Sequence, residues 1–573
     1  MSSASPLLTY RVAMPQPQTH FFEITLKVKD WQQPRLHLQM PVWTPGSYMV
    51  REYSRHLQDF RATDGQGKSL SSCKTAKNHW CVEGSGDLTI SYRVFANDLT
   101  VRTNHLDASH GYFNPAALLF LVPERTHEPI QIEIVPPANW QVTTPLPGNN
   151  NIFIAQNFDE LVDSPFEIGQ HRIYDFEVLG KPHQLAIWGE GQVDVAKWLA
   201  DITKIVTVTA EIFGGLPYDR YIFLLHLSAN GYGGLEHKNC CSLLYPRWQL
   251  QKTEQYEQFM QLVAHEFFHL WNVKRIFPKG LENFDYNQEN YTPSLWFSEG
   301  VTSYYDILMP RRAEIYGRST LLTQMSKEIS RFLTTPGRLV QPVTESSFDA
   351  WIKLYRPDAN SSNSQMSYYL KGAMVSLLLD LKIRALSNSE KSFDDVLVKL
   401  WDDYGQVAKG FTDRELESLI QDIAGVDLQD FYQDYLYSSI ELPFDEYLQP
   451  FGLKIAAVAS PTPYWGAIVK TEQGREMIKT VATGSPAALA GIDPGDELVA
   501  IDGYRVTADQ LADRLACYKI SNRLKVTVFH QDQLMHYEVE LAASQPSKYE
   551  LVPLFDLTPS QLYNLQCWAG AAG

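Results

Sequence analysis

The sequence predicts a multidomain α+β protein, and three observations carry that prediction. At 573 residues the chain is too long for one hydrophobic core. Its texture changes twice: short alternating runs fill the first part, helical stretches follow from about residue 250, and strand patterns return from about 446. The composition, 44% hydrophobic, 20% charged and 12% aromatic, is that of a globular protein and excludes disordered, collagen-like and low-complexity classes.

The elements follow in order. Residues 1 to about 165 read as β, with runs such as "FFEITLKVKD", "RLHLQMPVW", "LTISYRVFA" and "IQIEIVPP" punctuated by "WTPGSY" and "PLPGNN". A β-sandwich or a large open antiparallel sheet is the expected packing. Strands continue from about 170 to 245, and "RYIFLLHLS" runs into the glycine-rich loop "ANGYGGLEHKN". "TEQYEQFMQLVAHEFFHLWNVKR" then starts a helical region, with Thr253 expected as the N-cap and Glu254 in the first turn. The stretch 370–384 is apolar almost all round and predicts a central core helix. After about 446 come further strands, an amphipathic helix in "TADQLADRLACY", two more strands and a tail.

A net charge of −17 argues against nucleic acid as a partner. No run of about 18 apolar residues occurs, so no membrane span is expected. The start shows no secretory signal pattern. Six scattered cysteines without a CxxC pair suit a reducing, cytoplasmic location. Cys73 and Cys81 could meet across a hairpin, but no disulfide is expected there.

The chemistry concentrates in "AHEFFHLWNVKR". Positions i and i+4 of an α-helix lie one turn apart on one face. His265 and His269 can therefore both direct a ring nitrogen at one metal ion, with Glu266 beside it as a proton acceptor. A catalytic zinc takes three protein ligands and leaves one position open. Glu299 in "LWFSEGVTSYY" is the candidate for the third, on a second helix. No ligand or base candidate lies beyond 446, so the chemistry is expected within residues 230–370.

HExxH followed by a distant Glu in "WFSEG" resembles the gluzincins, thermolysin-like zinc peptidases. With "HEFFHLWNVKRIFP", "GGLEH" and "WTPGSYMVREYSRHLQDF", the chain is similar to the glycyl aminopeptidase family over almost its whole length. The resemblance implies an N-terminal β-sandwich-like domain (1–168), a thermolysin-like, mostly helical catalytic domain (169–445), a C-terminal PDZ domain (446–545) and a tail (546–573). It implies one catalytic Zn2+ on His265, His269 and Glu299, with Glu266 as general base. In "GGLEH", Glu236 stands where related aminopeptidases hold the free α-amine, although Leu235 and His237 replace the Met and Asn of the related pattern. Gly233 and Gly234 would let a peptide backbone approach closely. In "SYYLKG", Tyr369 occupies the place of an oxyanion-stabilising tyrosine, with Tyr368 as the alternative.

"GSPAALAGIDPGDELVAIDGYRV" is close to a PDZ strand–turn–strand signature, and "PYWGA" sits where such domains bind a carboxylate. PDZ domains take chain ends by strand addition. The expected activity is zinc-dependent removal of N-terminal Gly or Ala from peptide substrates. The alternatives are a zinc endopeptidase, if Glu236 does not hold the amine, or a PDZ adaptor on a peptidase scaffold.

Overall fold

The structure is a computed structural model that describes residues 6–571. The chain divides into two compact units. The first comprises Met1–Tyr291, Arg312–Ile315 and Leu397–Thr412, and the second Thr292–Arg311, Tyr316–Val396 and Asp413–Gly573.

The first unit opens with a seven-stranded sheet. Strand Phe21–Trp31 shows how the sequence builds it: successive side chains point to opposite faces. Phe22, Ile24, Leu26 and Val28 are at most 1% exposed, while Glu23 and Lys27 face solvent. Each such apolar side chain contributes about 1.5–3 kcal/mol on burial. One pairing departs from the antiparallel expectation, because Leu8–Ala13 runs parallel to Ile130–Val135. No turn joins two strands so far apart in sequence, so local pattern carries no sign of their direction. Cys73 and Cys81 lie opposite each other in register on strands Ser72–Ala76 and His79–Glu83, and both are free thiols.

A five-stranded sheet follows. Lys181–Trp188, Tyr221–Ser228 and Cys240–Pro246 are parallel, flanked by antiparallel Arg172–Val178 on one edge and Gly233–Glu236 on the other. Strand Tyr221–Ser228 is buried along its whole length, as befits a central strand covered on both faces. Helix Val195–Phe213 makes the crossover that a parallel pair requires. It starts at Asp194, whose side chain accepts from the Lys197 amide, and ends at Gly214 in the left-handed conformation. Helix Thr253–Phe268 packs on it, with Trp198 against Phe259 at 5.2 Å and Phe213 stacked on Trp271 at 4.4 Å. Thr253 is not the N-cap. Lys252 holds that place in an extended conformation without a side-chain cap, and Thr253 has become the first helical residue.

The second unit is built around helix Tyr368–Leu386, buried without a break from Leu370 to Leu381. Its Asp380 accepts from the Tyr304 hydroxyl at 2.6 Å, from Arg384 Nε at 2.9 Å and from the Phe393 amide at 2.9 Å. A buried carboxylate is tolerable when satisfied in this way. The same unit contains a sheet in which Ala467–Glu472 is the outer strand, with a core that includes Ile478, Leu498, Val526 and Val528. The helix expected in "TADQLADRLACY" spans only Leu511–Ala516. The residues ahead of it form a turn, in which the Thr507 hydroxyl bonds the Asp509 carboxylate and the Gln510 amide bonds Thr507 O.

The segment read as a tail is folded. Pro546–Pro553 pairs antiparallel with Leu453–Ala459, and Ala459 faces Pro546. The amides of Tyr549 and Leu551 donate to the Ser330 and Ser326 hydroxyls of helix Arg318–Thr334. Helix Pro559–Ala569 follows, opened by a capping box between Thr558 and Gln561. Its Trp568 is 4% exposed and donates to the Tyr304 hydroxyl at 2.9 Å. Among the described residues no helix is long and apolar enough to cross a membrane.

Candidate active site

In the first unit, helix Thr253–Phe268 buries Phe259, Met260, Val263 and Phe267, and so fixes which face carries the two histidines. His265 is the last basic residue of that helix, and His269 is its C-cap. Their Nε2 atoms lie 3.1 Å apart, with the rings 4.6 Å apart and nearly perpendicular. His269 Nδ1 is 2.6 Å from the carbonyl oxygen of Asn272. A carbonyl only accepts, so Nδ1 carries the proton and the Nε2 lone pair faces His265. Two nitrogens at about 2.0–2.1 Å from one tetrahedral ion are about 3.4 Å apart. The observed pair is close to that separation, and the backbone carbonyl behind His269 is the kind of partner that orients metal-ligating histidines. The residues present thus fit a divalent metal.

Glu266 is 4% exposed, and its Oε2 makes no hydrogen bond. Burial pushes its carboxyl up to about 7; His265 and His269 oppose the rise, Glu236 adds to it and Arg102 lowers it. The edge strand Gly233–Glu236 passes directly over this carboxylate. A Cβ on Gly234 would overlap the Glu266 side chain, so only glycine leaves the carboxylate its place. Arg102 Nη2 donates to Gly234 O at 2.8 Å and pins the strand from the N-terminal β region.

Glu236 is 3% exposed, and its Oε1 has no hydrogen-bond partner. Donor atoms of Glu236, Glu266 and His269 all lie within 4.8 Å of one another. Gly46, at φ +82° in the "WTPGSY" turn, comes so close that a Cβ there would collide with the Glu236 carboxylate. His237, the departure from the related pattern, is a buried structural residue. Its Nδ1 is 3.4 Å from Asp163 Oδ1, which Lys274 also approaches at 2.5 Å. Gly233 lies on the same edge strand and is only partly buried.

In the second unit, Glu299 sits on the π-helical turn Trp296–Val301 and is 2% exposed. This turn packs on helix Tyr368–Leu386 through two glycines: a Cβ on Gly300 would lie 2.5 Å from Gly372 Cα, and one on Gly372 would lie 2.5 Å from Trp296 O. The close approach sets Glu299 beside Tyr369. Burial raises the Tyr369 phenol well above its usual range, and the Glu299 charge raises it further. Tyr369 and Tyr355 share a hydroxyl–hydroxyl bond of 3.0 Å, while Tyr368 is fully buried and 3.5 Å from the same Tyr355 oxygen. Gly300→Ala is expected to lower the melting temperature and to reduce bound metal, because the atoms it strikes are backbone and cannot step aside; overpacking alone costs about 1–3 kcal/mol. Thermal denaturation and metal analysis measure both effects.

Sequence reading missed Arg102, Gly46 and Tyr355. The only local signal was the "PG" turn around Gly46.

A family model for the peptidase M61 N-terminal domain matches residues 9–170, one for the M61 glycyl aminopeptidase matches 258–375, and a PDZ model matches 477–526. Among solved structures, an aminopeptidase N family protein from Idiomarina loihiensis is 31% identical, with 97% of this chain and 99% of that chain covered and a TM-score of 0.92. An M1 zinc metallopeptidase from Deinococcus radiodurans is 12% identical, with 76% of this chain and 94% of that one covered and a TM-score of 0.47. No curated protein matches the sequence. A β-rich N-terminal domain, a helical middle region and a PDZ domain, in a chain matched almost end to end by the Idiomarina structure, make this protein a metallopeptidase that belongs to the M61 glycyl aminopeptidase family.

Proposed function

We propose that the protein is a zinc aminopeptidase that removes small N-terminal residues, Gly or Ala, from peptides. The observation that carries this reading is the pair of facing Nε2 atoms 3.1 Å apart, one with its tautomer set by a backbone carbonyl, beside a buried carboxylate without a hydrogen-bond partner at Oε2. His265 and His269, with Glu299 as third ligand, would hold one ion. N/O donors of this kind and number suit zinc. Zinc, when bound, supplies Lewis acidity toward a carbonyl and lowers the pKa of water to about 7.

The remaining steps belong to the protein. The strand Gly233–Glu236 is at the edge of its sheet, so a substrate backbone can pair along it, and Gly233 and Gly234 keep that approach open. Glu236 pairs with the substrate's α-ammonium through its unpartnered Oε1, and so counts residues from the chain end. Glu266, pushed up to about 7 mainly by burial, takes the proton from the attacking water and passes it to the leaving amine. Tyr369 donates its phenol hydrogen to the developing oxyanion; its raised pKa keeps that proton in place at neutral pH. Peptide chain ends would add to the PDZ domain along its outer strand Ala467–Glu472. The free thiols suit a reducing, cytoplasmic location.

The test is kcat/KM on one short peptide with its amine free and with it acetylated. The wild type is expected to prefer the free amine strongly. Glu236→Ala is expected to lose roughly 10- to 150-fold on the free peptide and little on the acetylated one, since a charged hydrogen bond contributes about 1.5–3 kcal/mol. Equal cleavage of both peptides by the wild type would replace the aminopeptidase reading with an endopeptidase.

A further inference from the structure

A second cluster of metal-binding side chains lies elsewhere in the first unit. His110 opens strand His110–Phe113, and Glu167 lies on its antiparallel neighbour Phe166–Gly169. His171 follows that neighbour, and His226 comes from the central strand Tyr221–Ser228 of the other sheet. All four are at most 3% exposed. His110 Nε2 is 2.7 Å from Glu167 Oε1, His226 Nε2 is 2.7 Å from Glu167 Oε2, and His171 Nδ1 is 3.7 Å from Oε1.

We propose that His110, His226 and Glu167, joined by His171, form a second, fully buried site for a divalent transition-metal ion such as zinc.

Three features point that way. First, the contacts close only in part as hydrogen bonds: His226 Nε2 bonds Glu167 Oε2 at 2.7 Å, and the others stay open. His110 Nε2 and Glu167 Oε1 are within reach of each other, yet neither makes a hydrogen bond of acceptable geometry, and His171 Nδ1 makes none either. Buried polar atoms are rarely left so, and here three of them converge on one point. Second, the donor set is that of a metal site: donor atoms of His110, Glu167 and His226 all lie within 4.8 Å of one another. A carboxylate in a dry pocket needs a cation, and three imidazoles and one carboxylate are the donors of a zinc-like ion, not of calcium or magnesium. Third, the surroundings orient and seal the donors. The Thr143 hydroxyl is 2.7 Å from His171 Nε2 and holds the ring with its Nδ1 edge toward Glu167. Trp188 stacks on the His110 ring at 4.1 Å, and Tyr112 meets the His226 ring edge-on at 4.7 Å. An ion here would clamp the four-stranded sheet that carries His110 and Glu167 to the five-stranded sheet that carries His226.

The test counts metal on the full chain, stripped with a chelator, retitrated with Zn2+ and freed of excess. The wild type is expected to bind two equivalents. His265→Ala combined with His269→Ala leaves this cluster untouched and is expected to keep one equivalent. Adding Glu167→Gln to that double variant, with folding checked by circular dichroism, is expected to bring the count to zero. A double variant that binds no zinc overturns the proposal, and so does a folded triple variant that still binds one equivalent. Because the deciding count is made with the HExxH histidines removed, its outcome is independent of whether those histidines serve catalysis.

Discussion

Glu266→Gln is expected to keep its metal and to lose about 10²- to 10⁴-fold in kcat, the range that a positioned general base contributes. The substitution preserves volume under Gly234, where there is no room for a larger group. It removes the one property the reaction needs there, a carboxylate that can take a proton near neutral pH. KM should change little, because the amide still fills the same space under the edge strand. Metal analysis alongside steady-state kinetics separates loss of base from loss of ion. Near-normal hydrolysis by a metal-replete Glu266→Gln protein would falsify the assignment of the base.

Removing a proposed ligand should be more severe still. His265→Ala, His269→Ala and Glu299→Ala are each expected to lose one equivalent of zinc and all measurable turnover, since a catalytic ion needs its three protein ligands. His269→Ala should be the most damaging of the histidine changes. It removes a donor and also the ring that the Asn272 carbonyl holds in its tautomer. Each variant is checked by metal content and by turnover at added zinc. A variant that keeps its full zinc content and near-normal turnover removes that residue from the ligand set.

The parts of this site that could be read in the sequence are those with a local geometric cause. His265, Glu266 and His269 form one helical turn, and the alternation in "FFEITLKVKD" is one strand face, so period alone places them. Arg102 reaches Gly234 across 132 residues, and Gly46 lies against Glu236 across still more. No spacing rule connects such pairs, because their neighbourhood is made by the sheets and not by the chain. The same is true of the parallel pairing of Leu8–Ala13 with Ile130–Val135. Tyr355 was hidden for another reason: among 30 tyrosines, one that bonds a second tyrosine hydroxyl looks like any other. Thr253 and the short helix Leu511–Ala516 were misjudged by a few residues at their ends, where local side-chain bonds and the extended Lys252 decide the start.

The ribbon formed by Leu453–Ala459 and Pro546–Pro553 has a consequence for how the chain is made. The polypeptide leaves the helical core at Ala459 and re-enters it at Pro546, its own cross-strand partner, with the whole PDZ sheet threaded in between. Helix Pro559–Ala569 then seals the core by bonding Trp568 to Tyr304, a residue synthesised 264 positions earlier. The PDZ domain, with local contacts of its own, can fold while the helices before it are still waiting for their final wall. Completion of the core that carries Glu299 and Tyr369 therefore waits for Pro559–Ala569, and a nascent chain holds an unfinished second unit until that helix has emerged.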